Sequence, residues 1–566
     1  MDRDQILSTA SIQRLIATGK HIIIFEGKVL QLDGWLDKHP GGKLAIKHMV
    51  GRDASNEINI YHSPATLATV HRYTIGYTAG HWTNLTPPIR GGVYLLPQPP
   101  DQDQNDVGSD IDDLSDASTL CTRTPSFENY HLGDDVLRER FPLDPEHDAH
   151  LDVHLQIPTS RRQIKLTSPS SFITPQAFLA KTIKSEIDDN LRDYPSLDDT
   201  TQRSISSAYQ ELHQQVKDHG FYQCRYSEYG KEITRYLVIF TLFCTALHCR
   251  WYLTSAVFLG LFWHQIMFAA HDAGHRGITH NFIADNLIGL FIADFCCGLS
   301  IGWWKSSHDV HHLVTNHPEH DPDIQNVPLF ATCPTFLKSL HSTYYDFTFV
   351  WDKVADFAVA YQYYTYYPIM AVARFNLYML SVHHLLTSPR PNSRMTSWIR
   401  PTEFAFIACY WLWFGYGILY LTLPDWPTRI GFVLISHLVT MPLHVQITLS
   451  HWGMPTADLG DAESFPQRQL RTTMDVECPE WLDFIHGGLQ FQAVHHLFPQ
   501  VPRHNLRKVQ ALVRKFCDDT GIKYTIYNFT DGNKKVLGRL ADVTDQVNMM
   551  IQCQKYMAET KISGLH

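Results

Sequence analysis

The chain has 566 residues, which is more than one hydrophobic core usually holds, so we expect two or three structural units. Its formal net charge is -10 and it has no cluster of lysine and arginine, which argues against nucleic acid as a partner. The 11 cysteines include no CxxC pair, so neither a disulfide framework nor a cysteine-ligated zinc site is indicated. Histidine, with 33 residues, is the unusual feature of the composition.

Residues 1–90 are predicted to form a small α+β domain. They begin without the apolar core of a secretory signal, so we expect this domain in the cytosol. His39 stands in the sequence HPGG, and His62 follows 23 residues later in YHS. Two imidazoles on opposite faces of a heme iron form a six-coordinate centre that passes single electrons and leaves no open position for O2.

The segment GWLDKHPGG and the later YHS resemble the two axial-ligand motifs of the cytochrome b5 family. The resemblance covers residues 1 to about 80 and implies that His39 and His62 bind heme b from its two sides. No CxxCH motif is present, so the heme is expected to be noncovalent.

The next two segments are polar. Residues 91–130 are rich in Asp, Ser and Pro and poor in apolar residues, which predicts a disordered acidic linker. Residues 131–230 are predicted to be a cytosolic connector with helices, for example over 200–218, and we assign no chemistry to them.

The membrane domain is predicted over 231–566, where the apolar segments occur in two pairs. The sequence Pro424-Asp425-Trp426-Pro427 predicts the turn within the second pair. Basic residues flank one set of ends, so we expect both termini and the segment 271–400 to face the cytosol. The predicted spans are about 232–249, 251–270, 402–423 and 427–450.

Two further apolar runs are predicted to lie at the membrane surface. The run 282–302 has the length of a span but contains Asp285 and Asp294. The run 355–386 includes the tyrosine-rich sequence YQYYTYYPIM. Neither is expected to cross the membrane.

Three histidine clusters follow the pattern of metal ligands. Spacings of three and four residues place imidazoles on one face of a helix, where several nitrogens can reach one metal. HxxxH alone is a weak signal in a chain with 33 histidines, whereas HxxHH has a chance expectation of only about 0.1. The clusters are His271-Asp-Ala-Gly-His275, His308-Asp-Val-His311-His312 and Gln492-Ala-Val-His495-His496.

The metal is expected to be iron. Zinc also accepts histidine, but a heme electron donor in the same chain has a use only if the second metal is redox active. The three clusters and the sequences PQVPRHNLRKVQ and DPDIQ resemble the membrane fatty-acyl and sphingoid desaturase family, over about 230–525. That resemblance implies two nonheme iron ions held by His271, His275, His308, His311, His312, His495 and His496, with one extra histidine.

His451 in TLSHWGM is our choice for the extra ligand, with His444 second and His437 assigned to core packing. Gln492 is treated as a site-forming residue, because its amide can bind a metal weakly or hydrogen-bond a metal-bound water. The sequence 317–323 supplies groups that could orient the ligands: His317, His320, Asp321 and Asp323. The remaining conspicuous histidines are expected to be structural or interfacial: His280, His383 and His384.

The sequence therefore predicts an N-terminal α+β cytochrome b5-like heme domain, a disordered linker, and an all-α membrane domain. That domain is expected to have four transmembrane helices and a cytosolic cap that holds the histidine boxes. The combination with Gln492 resembles the front-end desaturases, and HDAGHRGITH and GWWKSSHDVHHLVTNHPEHDPDIQ resemble fungal Δ8 sphingolipid desaturases more than Δ5 or Δ6 acyl enzymes.

This resemblance implies O2-dependent desaturation at carbon 8 of the long-chain base of ceramide or glucosylceramide. Electrons are expected from NADH through cytochrome b5 reductase and the heme, in a multi-pass protein of the endoplasmic reticulum membrane. An apolar channel is expected between the spans, with Trp303, Trp304 and 361–367 as wall or interface residues. Product geometry, substrate head group, chain length and oligomeric state stay open.

Three alternatives stay open as well. A front-end Δ5 or Δ6 acyl-lipid desaturase shares every box. A cytochrome b5-fused lipid hydroxylase combines the same two kinds of centre, although the three boxes with Gln492 argue against it. A membrane-anchored electron carrier explains His39 and His62 but leaves the histidine boxes without a use.

Overall fold

The computed structural model describes residues 3–94, 175–388 and 395–560. Most of the predicted linker and the connector residues 131–174 lie outside the described residues.

The N-terminal domain is an α+β unit, as predicted. Its four-stranded sheet has the order β1-β4-β3-β2, with β2 and β3 antiparallel and β1 parallel to β4. Glu26 and Gly27 connect β2 to β3 with φ values of 50° and 73°, the left-handed conformation that two-residue hairpin turns require. The strands are β1 Ile6–Leu7, β2 Ile22–Phe25, β3 Lys28–Gln31 and β4 Thr74–Thr78, and the helices are α1 Thr9–Ala17, α2 Gly42–Lys47, α3 Ser55–Tyr61 and α4 Pro64–Val70.

The rest of the described chain is mainly helical, with two small two-stranded sheets. The short strands are β5 Leu340–Ser342, β6 Phe347–Phe349, β7 Asp475–Glu477 and β8 Ile526–Asn528. The helices are α5 Pro175–Asp193, α6 Asp199–Asp218, α7 Tyr226–His248, α8 Tyr252–Gly274, α9 Phe282–Gly289, α10 Ile301–Leu313, α11 Lys353–Ala360, α12 Gln362–Thr387, α13 Ile399–Tyr410, α14 Trp426–Leu438, α15 Met441–Trp452, α16 Phe465–Thr472, α17 Asp483–His486, α18 Gln492–Leu497, α19 Arg503–Thr520 and α20 Phe529–Thr560. Two π-helical segments, Leu290–Cys296 and Trp411–Thr422, continue α9 and α13.

Helix α6 matches the helix predicted over 200–218, and it also packs against the helix that carries the third histidine box. Asp198 caps its first turn by accepting the Thr201 N–H at 2.9 Å. Its buried residues recur at helical spacing and share one hydrophobic cluster with the helix of the third histidine box. Tyr209 donates its hydroxyl hydrogen to the Leu497 carbonyl at 2.7 Å. The buried residues of α6 in this cluster are Ile205, Tyr209, Leu212 and Val216.

Four helices of the described residues are long and apolar enough to cross a membrane, and three of them coincide with predicted spans. The fourth is α12, which the sequence places at the membrane surface, whereas the predicted span 232–249 lies in α7 and is not among the four. The physical reason is composition, because α7 carries Lys231, Glu232 and Arg235 in its first half. The four are Tyr252–Gly274, Gln362–Thr387, Ile399–Thr422 and Trp426–Trp452.

The run 282–302 forms a sharply bent pair of helices. Phe282–Cys296 and Ile301–Leu313 meet at 119° across a short break. Gly298 has a φ of 69° at this break and lies against the Tyr410 ring, where a side chain would collide. Ser300 then caps α10 by accepting the Trp303 N–H at 2.9 Å.

We expect Leu212→Ala to lower the free energy of unfolding by about 2 to 5 kcal/mol, because it leaves a cavity behind the third box. Leu212 is 4% exposed, whereas Glu211 is exposed on the same turn. Glu211→Ala should therefore change stability by less than about 0.5 kcal/mol. Thermal melting in detergent measures both; equal melting temperatures for the two variants would show that α6 does not support this region.

Candidate heme and metal sites

The two predicted heme ligands face each other. The rings of His39 and His62 are 5.9 Å apart between centroids. His39 Nδ1–H donates to the Gly42 carbonyl and His62 Nδ1–H donates to the Ile58 carbonyl, both at 3.0 Å. These bonds fix the tautomer in which Nε2 of each ring carries the free lone pair.

Electrostatics also favour neutral imidazoles at this site. Desolvation lowers the pKa of His39, and desolvation together with the neighbouring His39 lowers the pKa of His62 to about 4. A Cβ at Gly41 would lie 3.1 Å from His39 Cε1, so glycine lets the backbone approach this ring closely. Two opposed, neutral imidazoles with free Nε2 atoms fit a heme with two axial histidines.

The three histidine boxes and His451 converge on one buried region. Box one lies at the end of α8, box two on α10, box three on α18, and His451 near the end of α15. Their nitrogens form two groups. Within each group, the ligand atoms lie within 4.8 Å of one another. One group is His271, His275, His308 and His495, and the other is His311, His451 and His496.

His312 lies between the two groups. Its Nε2 is 3.0 Å from His308 Nε2, and its ring stacks on His496 at 4.1 Å between centroids. Gln492 is buried at the start of α18 and lines the adjoining cavity. The structure thus brings all eight predicted histidine ligands together.

The histidine region fits metal ions because many of its nitrogens have no other partner. A buried polar nitrogen without a hydrogen bond is costly, and a metal that accepts its lone pair removes that cost. Neutral imidazole suits iron as well as zinc. Within the described parts of the chain, the buried nitrogens of this region that have no partner are His271 Nε2, His275 Nε2, His312 Nδ1, His451 Nδ1, His495 Nε2 and His496 Nε2.

Carboxylate and amide groups orient two of these rings. His311 Nδ1–H donates to Asp321 Oδ2 at 2.8 Å, which leaves Nε2 for a metal. Burial lowers the pKa of His311, but Asp321 and Asp323 outweigh it and raise that pKa to about 9, so a metal ion that binds Nε2 releases a proton. His496 Nδ1–H donates to Gln469 Oε1 at 2.9 Å. This direct hydrogen bond supports the predicted role of Asp321 in orienting a ligand histidine.

Other conspicuous histidines lie apart from both groups. His317 pairs with Asp458, and His320 contacts Thr343 and the ring of His48, so neither of these histidines orients a ligand of the boxes. His437 stacks on Phe375, in keeping with core packing.

Sequence reasoning missed Gln469, because a lone glutamine in FPQRQLRTTMD has no motif around it and reaches His496 only through the fold. It also gave no contact role to Trp304, whose ring stacks on His308 at 4.4 Å between centroids. Both residues restrict the rings that they touch.

A cavity of about 930 Å³ reaches the histidines from between the helices. His271, His308, His311, His451 and Gln492 contribute to its wall, and most of the other lining side chains are apolar. Trp303 and Trp304 line it as expected, but the tyrosine-rich stretch 361–367 does not; α12 lines it farther along, from Ile369 to His383. An apolar cavity that ends on a metal-type site suits a lipid chain.

The chain matches two known families in separate regions. Residues 10–79 match the cytochrome b5-like heme/steroid binding domain, and residues 250–528 match the fatty acid desaturase family. A protein of Emericella nidulans called Delta 8-(E)-sphingolipid desaturase is 47% identical over 100% of this chain and 99% of its own length. A protein of Komagataella phaffii with the same name is 44% identical over 97% of this chain and 95% of its own. A Helianthus annuus protein called Delta(8)-fatty-acid desaturase is 37% identical but matches only 51% of this chain and 62% of its own.

Fold and sites together define a class of membrane protein in which a b-type heme domain is fused to a helical domain with clustered histidines. The chain belongs to the fatty acid desaturase family, in the group that carries an N-terminal cytochrome b5 domain.

We expect His451→Ala to lose iron relative to the wild type, because His451 shares a group with His311 and His496. His437→Ala is the matched control, since His437 lies on the preceding helix and outside both groups. Iron per chain, measured by mass spectrometry on protein that elutes as a single species, gives the comparison. An equal iron content in the two variants would remove His451 from the ligand set.

Proposed function

We propose that this chain desaturates the long-chain base of a sphingolipid, ceramide or glucosylceramide, between carbons 8 and 9. The observation that carries the proposal is the apolar cavity that ends on two groups of buried histidines. The names of the full-length relatives add the position and the E geometry of the product. The acyl-lipid alternative is not favoured, because relatives named for fatty acids match only about half of this chain.

His39 and His62 would hold one heme b, and the eight clustered histidines would hold two nonheme iron ions. With these groups bound, O2 takes two electrons from the heme and two electrons with two protons from the substrate, and with two further protons leaves as two waters. An NADH-dependent cytochrome b5 reductase is the expected electron source, and the endoplasmic reticulum is the expected location.

The protein's own part is to position the substrate and to exclude water. An unactivated methylene reacts only if it is held next to the oxidant, and the cavity wall supplies that alignment. Trp304 closes the wall beside His308, and the apolar lining keeps water from the reacting carbons. A lipid whose head group stays at the membrane surface then presents a fixed carbon to the histidines.

The position of the histidines also limits how the chain can cross the membrane. His271 at the end of α8 and His451 near the end of α15 belong to one region, so the chain must cross an even number of times between them. Helix α13 with its π-helical continuation and the α14–α15 pair supply two crossings. If α12 also crossed alone, the number would be odd.

Contacts at both ends of α12 support a position on the histidine side. Near its start, Gln362 donates to the Leu540 carbonyl of α20 at 2.9 Å. Near its end, Ser381 Oγ accepts the N–H of Ser300, the cap of the box-two helix, at 3.0 Å. Helix α7, with Leu237 and Val238 more than half exposed on its apolar side, is the better fourth span beside α8.

The substrate proposal is tested by expression in yeast cells that lack Δ8-unsaturated sphingoid bases. Wild-type protein should produce these bases with unchanged fatty acids, measured by mass spectrometry of hydrolysed lipids. His308→Ala should produce none, because His308 belongs to the first histidine group. New polyunsaturated fatty acids without new sphingoid bases would instead show an acyl-lipid desaturase.

The topology is tested with glycosylation acceptor sequences inserted at three positions. Insertions after Arg250 and after Asp425 should be glycosylated, because both turns are expected on the lumenal side. An insertion after Ser388, beyond α12, should stay unmodified if α12 does not cross. Glycosylation there in an active protein would contradict the four-span layout.

A further inference from the structure

The heme domain packs directly against the helix that carries the second histidine box. Val310, Leu313 and Val314 of α10 share a hydrophobic cluster with Ile46 and Met49 of the heme domain. Elsewhere along the contact, buried Arg52 forms an ion pair with Asp461. The two domains are therefore joined by a continuous core.

Tyr61 lies in this contact, next to His62 in the sequence and in ring contact with His312. Its carbonyl accepts a hydrogen bond from Arg276 Nη2 at 2.8 Å and another from Gln500 Nε2 at 2.9 Å. Tyr61 directly precedes the heme ligand His62, and Arg276 directly follows His275 of the first box. A charge-assisted hydrogen bond from Arg276 and a hydrogen bond from the Gln500 amide thus hold the backbone beside His62 against the histidine region.

The side chain of Tyr61 reaches the histidine region itself. Its ring meets the ring of His312 edge to face, with centroids 6.3 Å apart and an interplanar angle of 83°. The Tyr61 hydroxyl is buried and has no hydrogen-bond partner among the residues that the structure describes. The ring, and not the hydroxyl, therefore makes the contact with the histidine region.

We propose that Tyr61, held by Arg276 and Gln500, is a positioning residue that couples the heme electronically to the clustered histidines. This inference rests on the proposed function. In each transfer the heme iron goes from ferrous to ferric and one ferric iron at the histidines becomes ferrous, so two transfers serve one turnover. Electronic coupling falls steeply with the distance that an electron crosses between atoms that are neither bonded nor in contact. The Tyr61 side chain belongs to the residue before His62 and contacts His312, so it shortens that distance.

The test uses the full-length protein with heme and iron in detergent, and it follows heme oxidation by stopped-flow absorbance. The heme is reduced with NADH and cytochrome b5 reductase, then mixed with O2 and ceramide. Tyr61→Leu, which keeps the carbonyl and removes the ring, should slow heme oxidation at least tenfold with an unchanged heme spectrum and iron content. Tyr61→Phe should stay within about twofold of the wild type, because the hydroxyl has no partner.

A control variant separates a local effect from a general loosening of the domains. Thr86→Val removes the hydrogen bond from Thr86 to Asp461, at another part of the same contact. It should oxidise its heme at the wild-type rate. A Thr86→Val rate as slow as that of Tyr61→Leu would overturn the proposal, because any weakening of the contact would then suffice.

A second measurement shows whether Tyr61→Leu slows only the electron transfer or also damages the metal site. Protein reduced in advance with dithionite and a viologen mediator should form the same product per chain in Tyr61→Leu as in the wild type. Loss of this single turnover in Tyr61→Leu, wild-type heme oxidation in Tyr61→Leu, or slow oxidation in Tyr61→Phe would each overturn the proposal. A wild-type protein that holds iron but forms no Δ8 product would instead overturn the proposed function.

Discussion

Many neutral imidazoles buried at one place impose the constraint on which the rest of this structure depends. Buried nitrogens of six histidines have no hydrogen-bond partner among the described residues, and metal ions that accept their lone pairs would remove the cost of leaving them unpaired. Each box lies near the end of a helix, and the ends must meet. The bend of 119° before α10 and the packing of α6 behind the third box both serve that meeting.

Helix α10 shows how one short element meets several demands at once. Its three histidines face the metal-type site, Val310 and Leu313 face the heme domain, and its first turn lies at the cavity. The spacing of 3.6 residues per turn makes this division possible in 13 residues. A substitution on the heme-domain face therefore shifts the same backbone that aims His308 and His312.

The boxes, the heme motif and three of the four apolar spans could be predicted from the sequence, because each depends on local spacing or composition. The predicted crossing by α7 and surface position of α12 stay predictions, because length and composition single out α12 as a span whereas the contacts at both ends of α12 favour α7. Gln469 and Tyr61 could not be found from the sequence, because their partners lie 27 and 251 residues away, His496 and His312. His317 and His320 lie near box two in sequence, but His320 contacts His48 of the heme domain and His317 pairs with Asp458.

The packing of the heme domain changes how the fusion of the two domains is understood. A flexible tether raises the local concentration of a donor, but the donor must still find a productive orientation at each encounter. Here the hydrophobic cluster around Val310 and the bonds to the Tyr61 carbonyl hold one orientation in advance. The entropy of docking is then lost once, on folding, and not at each electron transfer. Helix α10 carries the second histidine box and also packs against the heme domain, so the heme domain and the histidine site should stabilise each other. Two domains joined only by a flexible tether would not have this effect.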